Sequence, residues 1–130
     1  MQSLLPPYAL PTPTFPFPHL AGLAGRAPIG GAREVALACF VAARLAADCV
    51  GTDTDVAGRM ARSVGAKAWL GTLALPPVVR GPLFRCVEST AEGSPRAVGQ
   101  ELADVAAAGG AYLDPGSRLE LDTLVASLLA

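Results

Sequence analysis

The chain of 130 residues has a formal net charge of -1, with 16% charged and 52% hydrophobic residues. A charged fraction below the roughly 25% of an average soluble domain, with its signs balanced, gives no general electrostatic attraction to nucleic acid or to an anionic membrane. One domain's length with this much apolar material can form a core without disulfides or metal.

The basic residues are nine Arg and the single Lys67, and Asn is absent. Together with abundant Ala and Gly this is the composition of a GC-rich bacterial coding sequence. Cys39, Cys49 and Cys86 are an odd number without a CxxC pair, which speaks against a disulfide framework or a zinc ribbon and for free thiols in a reducing cytoplasm.

The first 32 residues differ from the rest. Prolines stand at 6, 7, 11, 13, 16 and 18, the aromatics Tyr8, Phe15 and Phe17 lie among them, and no charged residue precedes Arg26. A charged n-region and an uninterrupted h-region are both missing, so a secretory signal is not expected. The segment reads as an extended, proline-rich arm followed by the Gly-rich hinge AGLAGRAPIGG. A disordered tail is poor in aromatics and rich in charge, and this stretch is the reverse. Its prolines hold it extended and reduce the entropy lost on binding. Tyr8, Leu10, Phe15, Phe17 and Leu20 are therefore the expected partner-binding anchors. The alternative is that the arm wraps its own body.

Residues 33 to 130 form the expected helical domain, because apolar residues recur at intervals of three and four and strand alternation is missing. The first helix is expected over 33 to 49, apolar nearly all round, and too short and interrupted (Arg44) to span a bilayer. GTDTD (51 to 55) supplies the cap of the next helix. Along it Val56, Met60 and Val64 form one stripe with Arg59 and Arg62 opposite, whereas Trp69, Leu70 and Leu73 project on the other side. The helix either breaks near Gly65 or is sandwiched. Gly58, Ala61, Gly65 and Ala68 form a small-residue stripe, read as packing against the first helix, with a homodimer seam as its second use.

Pro76 and Pro77 end that segment, and a short helix is expected from Pro82 to Thr90. Ser94 followed by Pro95 is a serine cap with proline at the first helical position, opening a helix that stops at Gly109 and Gly110. SRLE (117 to 120) matches a capping box for the C-terminal helix. The fold class expected is thus all-α, a small bundle of four to five helices with an extended N-terminal arm.

Chemistry-bearing groups are sparse. The single histidine, His19, sits in the arm, so a nucleophilic triad would need that arm to close over a thiol or carboxylate. Paired carboxylates such as Asp53 with Asp55, or Asp114 with Glu120 and Asp122, have simpler work as caps and solvated faces. No catalytic residue, metal site or cofactor is expected. The reading is a non-catalytic accessory subunit whose arm docks on a partner protein, with a homodimer as a second association and neither nucleic acid nor membrane as partner. The alternative is a small helix-turn-helix-like regulator using residues 54 to 75, with its turn near Gly65 and with Arg59, Arg62 and Lys67 against DNA. On the arm reading, replacing Phe15 and Phe17 by Ala abolishes partner capture and leaves the melting temperature nearly unchanged.

Overall fold

A computed structural model describes residues 17–26, 32–51 and 56–130. These form α1 (Pro18–Arg26), α2 (Ala32–Gly51), α3 (Val56–Leu70), α4 (Pro77–Glu92), α5 (Pro95–Gly109), a single 3₁₀ turn (Gly110–Tyr112) and α6 (Pro115–Leu129). The described residues contain no strand, and no helix among them is long and apolar enough to cross a membrane.

The largely apolar sequence of α2 dictates the architecture. Val35, Ala36, Ala38, Cys39, Val41, Ala42, Ala43, Ala46 and Ala47 are essentially inaccessible, so α2 must be surrounded rather than laid on a surface. The other helices surround it in the order α3, α4, α5, α6, α1, each packing on the next and all touching α2. Small Ala side chains let these neighbours approach closely, and Leu70, Leu83, Leu102, Leu121 and Val79 fill the layer around them. Phe40, Arg44 and Asp48, at four-residue spacing, are the half-buried face of α2. Phe40 meets α1 there, and Asp48 meets α3 through Arg62 Nη1 at 3.4 Å.

The helix count exceeds the expected four to five, and the extra helix falls in the segment expected as extended arm. Pro18 takes the first helical position of α1, where its missing N–H costs nothing. Phe17, Leu20 and Ala24 are buried, and the Phe17 ring stands edge-on to Phe40 with centroids 6.2 Å apart. Two of the five expected partner anchors, Phe17 and Leu20, therefore serve the protein's own core. Tyr8, Leu10 and Phe15 lie outside the described residues, as do residues 27–31 of the hinge and 52–55 of the GTDTD cap.

The start of α1 is held from across the fold. Glu120, on α6, accepts from the backbone N–H of His19 through Oε2 (2.7 Å) and from that of Leu20 through Oε1 (2.9 Å). These are among the N–H groups a helix leaves unpaired at its start, and a carboxylate there also faces the positive end of the helix dipole. The His19 ring adds Nδ1 at 3.0 Å from Glu120 Oε2. Gly116 leaves room for this arrangement, because a Cβ there would fall on the His19 imidazole. Glu120→Ala removes both caps. It should destabilise the protein by about 2 kcal/mol and raise hydrogen exchange in α1 far more than in α4 or α5. Uniform exchange across all helices would contradict this.

That use of Glu120 corrects the expected capping box. The N-cap of α6 is Asp114, whose Oδ1 accepts from Ser117 N–H at 2.8 Å, and Pro115 occupies the first helical position. Ser117 sits a turn inside the helix with its hydroxyl buried and unpaired among the described residues. The Ser94 cap of α5 is as expected, accepting from Ala97 N–H at 3.4 Å. The helix expected from Pro82 begins five residues earlier, at Pro77, and carries Pro82 inside it. The proline forfeits one backbone bond, at a turn where Val78 is open to water. Gly93, at φ +77°, ends α4 in the left-handed conformation that glycine adopts without strain.

Candidate protein-binding surface

The two halves of α3 disagree about which side is inward, and the structure decides for the C-terminal half. Ser63, Ala66 and Leu70 face the core, and the Leu73 and Leu75 side chains beyond the helix are buried too. The helix runs unbroken through Gly65, so a straight rod pinned by Leu70 and Ser63 must turn the Val56–Met60–Val64 stripe outward. Ser63 secures the orientation by donating its buried hydroxyl to the Val87 carbonyl of α4 at 3.0 Å.

The outward face of α3 is consequently apolar. Val56, Ala57, Met60, Ala61, Val64 and Ala68 are all exposed, with Val56 at 57%, Met60 at 52% and Val64 at 62%. At 100° per residue these six fall within one continuous arc of less than half the helix circumference. A surface helix ordinarily puts polar residues there. Beside the stripe an open groove of about 320 Å³ runs between Met60, Ser63 and Val64 on α3 and Glu88, Ala91 and Glu92 on α4. Its rim is charged, with Lys67 Nζ donating to Glu88 Oε2 at 3.1 Å. Of the small-residue stripe, Ala61 and Ala68 are exposed, while Gly58 and Gly65 flank the outward face half-buried.

The expected DNA-contacting unit takes a different form. The turn placed near Gly65 is helical, so residues 56 to 70 are one rod rather than two helices at an angle. Its three basic residues engage the protein's own groups. Arg59 Nε donates to the Ala91 carbonyl at 3.4 Å, Arg62 pairs with Asp48, and Lys67 pairs with Glu88.

Among the described residues, no three His, Cys, Asp or Glu side chains gather as a metal ion would require. Cys39 and Cys86 are free and buried. Desolvation pushes the Cys39 thiol up to about 12, so it is held as the neutral thiol at neutral pH rather than the nucleophilic thiolate.

Sequence reasoning noticed Val56, Met60 and Val64 as a stripe but left open whether the helix breaks near Gly65 or is sandwiched. The signal that places them outside is relative size: Trp69, Leu70 and Leu73 outweigh two valines and a methionine when one face must be chosen. No protein-family model matches the chain, and neither a curated protein nor a solved structure matches it.

Proposed function

We propose that this protein is a non-catalytic protein-binding subunit whose principal contact surface is the outward face of α3 with its adjoining groove on α4. The observation that carries this reading is the inverted polarity of α3. Six apolar residues face water on a helix whose opposite side is anchored in the core by Leu70 and Ser63. A contiguous apolar face with a charged rim is the anatomy of an association site. The rim here is Lys67, Glu88 and Glu92. The proline-rich segment keeps Tyr8, Leu10 and Phe15 as candidate second anchors, while Phe17 and Leu20 root that segment in the body.

The test is the double substitution Met60→Lys with Val64→Lys. Both side chains are more than half exposed, so helical circular dichroism and the melting temperature of the dilute protein should stay within about 0.5 kcal/mol of the parent. Proteins that co-purify with the tagged parent should be lost. Retention of the same co-purifying proteins would remove α3 as the contact surface, and a large fall in melting temperature would show that the stripe is core.

A further inference from the structure

We draw no further inference here: the strongest candidate, the outward apolar face of α3 with the groove of about 320 Å³ between α3 and α4, carries nothing beyond the protein-binding reading above, because nothing in the structure shows what covers it.

Discussion

Phe17→Ala should lower the melting temperature of the isolated protein by about ten degrees, a loss of about 3 kcal/mol. The side chain is 6% exposed and stands edge-on to Phe40. Truncation removes its buried area and the ring pair and leaves a cavity at the join of α1 with α2. It also releases the point from which α1 starts, where Glu120 holds the His19 and Leu20 amides. Phe15→Ala alone serves as the comparison. A melt unchanged by Phe17→Ala would return Phe17 to the partner-binding arm and detach α1 from the account of the core.

Gly99→Val should be comparably severe, at about 3 kcal/mol. Gly99 is buried in α5, where a Cβ would stand 2.9 Å from both Leu128 Cβ and Leu129 Cδ2 of α6. Leu129 can swing its terminal methyl aside, but Leu128 Cβ is fixed by the α6 backbone, so the two helices must separate. Valine adds two further methyl groups to that collision, and a β-branched residue in a helix has little rotamer freedom with which to avoid it. Thermal or chemical denaturation of Gly99→Val beside Gly99→Ala measures the effect, with alanine expected to cost less. Equal stability of all three would mean that α5 and α6 are not packed backbone to backbone at this point.

How far the sequence spoke depends on the kind of signal. Local caps read correctly where residue type and position agree, as for Ser94 before Pro95 and for the stop at Gly109. The same grammar was present in Asp114 before Pro115, but the more elaborate Ser117–Glu120 pattern drew attention from it. Glu120 could not have been assigned from sequence, because its partners, the His19 and Leu20 amides, lie about a hundred residues away. The burial of α2 was evident from a sequence that is apolar nearly all round. α1 was hidden by composition, since prolines at 16 and 18 suggest an extended chain even though proline at a first helical position starts a helix well. For α3 the apolar pattern was seen but its direction was not. Two faces compete on one rod, and the choice lies with Leu70, Trp69 and the Ser63–Val87 hydrogen bond, which only the packed fold reveals. The candidate surface was thus legible as a stripe and illegible as a surface.

The claim that this stripe is an outward-facing binding surface is tested most directly by the rate at which Met60 is oxidised to the sulfoxide. Met60 is one of two methionines in the chain, the other being Met1, so peptide mass spectrometry reports it without ambiguity. In dilute purified protein the thioether should oxidise with peroxide about as fast as a free methionine, because the residue is 52% exposed. In the associated state, whether concentrated protein or complex in a native extract, oxidation should slow several-fold while the dilute control is unchanged. Slow oxidation in the dilute protein, or identical rates in both states, would contradict the account.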